Sequence, residues 1–148
     1  MAGMDTQTPA LNDAITHASL SERQAVLTAY LDWLDDPASQ ERQCFEELYH
    51  PDSSQCCALG GLGQVLAQHG YARKVGINLE VFLQGEFGGG PLRTSVSSYK
   101  LPIDALAALG LERHQGEIMR LNDTHRFSFA AIAARLRELG VHAPEALP

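Results

Sequence analysis

Gln55-Cys56-Cys57-Ala58-Leu59-Gly60-Gly61-Leu62 is the stretch whose reading decides the fold. Apolar spacing places a helix from about Cys56 to His69, with Leu59, Leu62, Val65 and Leu66 as its stripe and Gly70 as its stop. A glycine inside a helix costs about 1 kcal/mol against alanine. Gly60, Gly61 and Gly63 all fall within this one helix, so something must compensate. The plain reason is close packing: a helix face without side chains lets another element come near. The expected long-range partner is Leu121-Asn122-Asp123, just before the last helix.

Upstream, Asn12 to Ala18 reads as a short helix. A stronger one begins at Ser21, where Ser21 and Gln24 have the spacing of a capping box. Val26, Leu27, Tyr30, Leu31 and Leu34 follow at helical spacing, and Asp35-Asp36-Pro37 ends the run. Gln40 to Tyr49 reads as a short amphipathic helix with Cys44, Phe45 and Leu48 inside, followed by a turn at His50 to Ser54. Downstream, Ile77 to Leu83 alternates like a strand and Arg93 to Tyr99 can return beside it. The glycine-rich stretch 85–91 connects the two. Leu101-Pro102 opens a helix with Ile103, Leu106, Ala107 and Leu109 inward and Gly110 as its stop. Gly116 to Leu121 is a short helix or turn. Ser128 caps the last helix, Phe127 can staple onto Ile132, and Phe129, Ile132, Ala133, Leu136 and Leu139 form the inner stripe up to Gly140.

These elements predict an α+β, mainly α fold: one domain over 11–140, with about five helices around the Cys-Cys helix and one two-stranded antiparallel hairpin. Residues 1–10 are expected to be disordered and 141–148 a loose tail. The 148 residues suit one domain, and 45% hydrophobic with 20% charged content is a globular composition.

The formal charge of −7 and the scatter of basic residues, apart from Arg73-Lys74, argue against direct nucleic-acid binding. The acidic clusters Asp32-Asp35-Asp36 and Glu41-Glu46-Glu47 read as solvated helix faces. No apolar run approaches the ~20 residues of a membrane span, and the polar start lacks a signal-peptide layout, so a cytoplasmic protein is expected. Three cysteines in such a compartment are thiols rather than a disulfide framework.

Chemistry has one sharp candidate. Cys57, or Cys56, stands at a helix N-terminus, where the dipole and free N–H groups favour a thiolate. A nucleophile also needs a base and an orienting group. His125 with Asp123 or Asn122 would supply them, giving a cysteine-dependent hydrolase or transferase. The plain alternative makes both cysteines small buried hydrophobes. Asp123 has a structural reading too, as an internal anion meeting the free N–H groups of the Cys57 helix and stapling two distant segments; this staple is the favoured reading. Cys44, Cys56, Cys57, His50 and His125 include enough zinc ligands but lack the spacing, so no metal and no cofactor is expected. Tyr30 and Trp33 could anchor a partner, although core packing is the simpler role.

Cys57-Ala58-Leu59-Gly60-Gly61-Leu62 resembles the Cys-Ala-Leu-Gly-small-Leu signature of a family of small actinobacterial and phage proteins. In that family an upstream Cys precedes the signature, and a Trp- or Leu-Asn-Asp element opens a C-terminal helix. Cys44 and Leu121-Asn122-Asp123 stand in those places. A related phage group is similar further, through Cys56-Cys57, Leu101-Pro102, Gly110-Leu111, Ser128-Phe129 and Ile132-Ala133. The likeness spans about residues 25–140. It implies relatedness and no reaction, and His125 is outside its pattern.

The expected function is a non-enzymatic protein-binding or regulatory protein, of phage or mobile-element origin and acting on a host protein. Its partner is another protein, with no nucleic acid and no membrane. Tyr30, Trp33, Phe87, Arg93 and Asn122 are the candidate binding residues. Cys44, Cys56, Gly60 and Gly61 are structural. Two alternatives stay open: the Cys57, His125, Asp123 enzyme, and a small anionic ligand or nucleotide held at the start of the Cys57 helix.

Overall fold

Ser19, rather than Ser21, starts the first long helix. Its hydroxyl accepts from the Glu22 N–H at 3.1 Å, so the cap lies two residues earlier than the sequence indicates. The computed structural model describes residues 13–51, 55–83 and 93–141. The expected disorder at 1–10, the loop with Phe87 and the tail after Val141 lie outside the described residues.

A single 3-10 turn, Ile15–His17, replaces the expected helix over 12–18. Among the described residues six helices and three strands follow: α1 Leu20–Asp35, α2 Pro37–Gln40, α3 Ala58–Gln68, β1 Ala72–Val75, β2 Asn78–Leu83, β3 Arg93–Ser97, α4 Ile103–Ala108, α5 Gln115–Asp123 and α6 Phe129–Glu138. The fold is α+β and mainly α, with one helix and one strand more than expected. The sheet is antiparallel in the order β1-β2-β3, with Ala72 opposite Val81 and Val81 opposite Ser95.

α3 is the centre. Every residue from Ala58 to Leu66 except Gln64 is buried, so the helix is enclosed on all sides rather than amphipathic. α1 lies against it with Val26, Leu27, Tyr30, Leu31 and Leu34 buried, all five members of the expected stripe. β1 and α5 pack on its other flanks. The three helix glycines each face a neighbour. A Cβ on Gly60 would collide with the Leu48 carbonyl, and one on Gly61 with the Trp33 ring. A Cβ on Gly63 would lie 2.5 Å from the Tyr49 hydroxyl and 2.7 Å from Leu79.

α3, α4 and α6 end in the same way. The N–H groups of Tyr71, Leu111 and Val141 bond back to the carbonyls of Leu66, Leu106 and Leu136, across a left-handed glycine in each case. This is the Schellman arrangement, and its following apolar residue is buried each time.

Segment 41–50 is not helical. Its backbone bonds outward instead: Cys44 N–H to the Cys56 carbonyl at 2.9 Å, Cys56 N–H to Arg42 at 2.7 Å, and Leu48 N–H to Ser98 at 2.8 Å. Glu46 has φ 71, which no right-handed helix admits. Cys44 and Leu48 are buried as expected, through these long-range bonds and not through helical periodicity. α4 also differs. Ile103 is 56% exposed and Ala107 lies outside, while Ala105, Leu106, Ala108 and Leu109 fill the core. In α6 the stripe stops at Leu136, and Leu139 is exposed.

Candidate functional site

The N-terminus of α3 is where distant parts of the chain meet. Cys57 is its N-cap, and the sulfur accepts from the Gly60 N–H at 3.4 Å. Sulfur is a weak acceptor, so this cap alone holds the helix start poorly. The stronger acceptor comes from α5. Asn122, 1% exposed, accepts the Ala58 N–H on Oδ1 at 3.1 Å. The staple foreseen for Asp123 is therefore made by its neighbour.

Asn122 uses its whole amide. Oδ1 also accepts from Gln43 Nε2 at 2.9 Å, and Nδ2 donates to the Cys44 carbonyl at 3.0 Å and to Asp123 Oδ1 at 2.7 Å. One buried side chain thus joins α3, α5 and the irregular segment 41–50. Asp123 takes the next place outward, accepting the Glu46 N–H at 2.8 Å and so fixing the left-handed residue. Gln43 completes the set by donating to the Phe127 carbonyl at 2.8 Å, just before α6. Leu121-Asn122-Asp123 is the last turn of α5, not a turn opening α6. A carboxamide suits this buried place better than a carboxylate, because it accepts and donates without carrying charge.

The thiols are shielded. Cys44, Cys56 and Cys57 are 6%, 0% and 7% exposed and unbridged. Burial pushes Cys57 up to about 11, against the lowering effect of the Gly60 and Leu59 N–H groups. The Asp123 charge raises it further, the wrong direction for a nucleophile. Burial likewise pushes Cys44 and Cys56 up to about 12. His125 is elsewhere in its contacts: it is exposed, its Nε2 meets Arg120 Nη1 at 2.6 Å, and its ring faces Phe127 at 6.0 Å. The structure brings Cys57, Asn122 and Asp123 together and shows no bond between His125 and Cys57 among the described residues.

Tyr30, a candidate partner anchor, is fully enclosed and donates its hydroxyl to the Ala58 carbonyl at 2.8 Å. Trp33 is half-buried, with its ring over Gly61 and 4.9 Å from that of Phe129. Both belong to the packing around α3. Arg93 begins β3 opposite Leu83. Among the described residues no group of three or more His, Cys, Asp or Glu is placed to hold a metal ion. No described helix is long and apolar enough to cross a membrane.

A different surface was not legible in the sequence. Among the described residues Val75, Ile77, Val96, Tyr99 and Ile103 are each between 41% and 56% exposed. They lie on β1, the β1–β2 turn, β3, the chain leading into α4 and the first residue of α4. A groove of about 410 Å³ runs beside β3, lined by Asn78, Val96, Tyr99 and Lys100 among others. Alternation along a strand shows which residues face away from each other, but not which face lies open.

No protein-family model, curated protein or solved structure matches the chain.

Proposed function

We propose that this is a non-enzymatic protein-binding protein that docks a partner on the β3 side of its sheet. The observation that carries the reading is the pair of exposed apolar side chains Val96 and Tyr99 lining the β3 groove, with Val75, Ile77 and Ile103 exposed on the adjoining strand, turn and helix. Exposed apolar residues are ordinary when scattered, but a group bordering one groove marks an interaction surface. Lys100, one of the two lysines of this acidic chain, lines the same groove. A partner segment presenting apolar and acidic side chains fits that pattern best. Action on a host protein, with a phage or mobile-element origin, belongs to the same proposal and rests on the motif likeness alone.

The alternatives have less support. A cysteine-dependent reaction needs a thiolate beside a base, and Cys57 has burial and Asp123 instead. An anion at the α3 N-terminus would compete with Asn122 and the Cys57 sulfur for the same N–H groups. The test is a partner screen run in parallel with wild-type protein and with Val96→Asp and Tyr99→Ala. These exposed positions allow both variants to fold, which thermal melting checks. A partner retained by wild type and lost by both supports the reading. Retention unchanged by either substitution overturns the β3 surface as the docking site.

A further inference from the structure

The hydrogen-bond phase of the sheet fixes which backbone groups of β3 point away from it. The Phe82 N–H bonds to the Tyr71 carbonyl at 3.1 Å, one step along from the Ala72–Val81 pair. In an antiparallel ladder successive residues turn their backbone groups to opposite sides. Asn78, Glu80 and Phe82 therefore turn to β1, and Leu79, Val81 and Leu83 turn to Ser97, Ser95 and Arg93 of β3. Thr94, Val96 and Ser98 face the other way. Ser98 agrees with this phase, since its carbonyl accepts the Leu48 N–H at 2.8 Å from segment 41–50. Among the described residues Thr94 and Val96 have no such backbone partner, and both are exposed. Their N–H and carbonyl groups continue the line on which Leu48 already bonds. The opposite edge is protected: β1 carries Arg73 and Lys74 and packs against α3, and charge and cover are common ways of closing an edge strand. After Arg93, β3 reads Thr94-Ser95-Val96-Ser97, with neither charge nor proline.

We infer that β3 takes a fourth strand: an extended segment of a partner protein, alternating apolar and acidic side chains, adds along Thr94 and Val96. The inference rests on the β3 side being the docking surface. Only another extended backbone offers donors and acceptors at the two-residue spacing of this edge. Val96, 56% exposed, supplies an apolar cross-strand neighbour, and Tyr99 extends it. Lys100 lines the groove past the end of the strand and favours a carboxylate there. A second copy of the chain fits this edge less well, because each copy carries a formal charge of −7.

The experiment selects a display library of random peptides, about ten residues long, on the folded full chain and synthesises the tightest binder. Enriched peptides are expected to alternate apolar and acidic residues. In NMR titrations the Thr94 and Val96 amides should shift and gain protection from solvent exchange. N-methylation of alternate peptide nitrogens should weaken binding about tenfold or more in one phase and not in the other, since one phase alone faces the edge. Thr94→Pro removes an outward N–H and no ladder bond, so it should weaken binding similarly while melting close to wild type. If it melts early, the N-methylated peptides decide. Thr94 is outside the groove lining, so the variant separates edge from face. Binding lost in Val96→Asp but kept in Thr94→Pro and by both N-methylated peptides overturns the fourth strand and leaves the docking surface standing. No enriched peptide, or binding that Val96→Asp also leaves unchanged, overturns both. A dimer of the chain alone that Thr94→Pro disperses gives the edge to a second copy and overturns the inference as well.

Discussion

At the scale of single residues the fold depends on Asn122 more than on either cysteine beside it. Its amide satisfies the Ala58 N–H and the Cys44 carbonyl, both in a buried setting. Asn122→Ala leaves both unpaired and opens a small cavity, so a loss of about 3 kcal/mol is expected in urea denaturation. Asn122→Asp keeps the shape but loses the donor to Cys44 and sets a second carboxylate against Asp123, so it is expected to be destabilised too, less at acid pH than at neutral pH. Asp123→Ala removes the exposed bond from Glu46 and one of the two acceptors of Asn122 Nδ2, which keeps the Cys44 carbonyl, and should cost about 1 kcal/mol. The order Asn122→Ala worse than Asp123→Ala is the outcome that separates the buried staple from the outer one; the reverse order contradicts it. The sequence showed that this dipeptide ties onto the Cys57 helix. It did not show which of the two residues does so, because both are helix-end formers and burial alone decides between them. Gln43 carried no signal, since its partners are 79 and 84 residues away.

At the scale of elements, α3 illustrates what composition can and cannot convey. Three glycines in an apolar helix announce close approach, and the structure shows what approaches: a carbonyl, an indole ring and a tyrosine hydroxyl. The identity of those neighbours was out of reach, because they come from α1, segment 41–50 and β2. The neighbours also differ in how far they can yield. Gly60 faces the Leu48 backbone and the Cys56 Cβ, which are fixed by their own hydrogen bonds, whereas Gly61 faces a side chain. Gly60→Ala is therefore expected to destabilise by about 3 kcal/mol and Gly61→Ala by less, even though alanine is the better helix former by about 1 kcal/mol. Thermal or urea melts of the two variants measure the difference, and equal effects would show that the Leu48 carbonyl gives way. Segment 41–50 is the opposite case. Its apolar residues have helical spacing, but its N–H groups find partners at Cys56 just before α3, at Ser98 beyond β3 and at Asp123, and that tertiary pairing prevails over periodicity. β1 was missed for a simpler reason: of its four residues only Ala72 is buried, so it shows no alternation.

At the scale of the whole molecule one core unites the 3-10 turn, the helices and the sheet, and the three cysteines lie inside it. The mainly helical α+β class was legible because long helices announce themselves by period and by their caps. The open sheet face was not, since exposure belongs to the assembled fold. The buried thiols make stability depend on pH in a defined direction. Their folded values of about 11 to 12 lie above the ordinary 9.0, so above pH 9 the unfolded chain gives up protons that the folded state keeps. The stabilisation they supply is complete below that value and is lost as pH rises toward 11–12. Urea midpoints should fall across this range in wild type and fall less in a Cys57→Ser variant. The most direct test of the account is site-resolved iodoacetamide labelling of the folded protein across a range of pH. Cys44, Cys56 and Cys57 are predicted to label together, at a rate set by unfolding and accelerated by urea. Rapid labelling of Cys57 in the folded state, with an apparent pKa well below the ordinary 9.0, would contradict it and make this helix start a reactive centre.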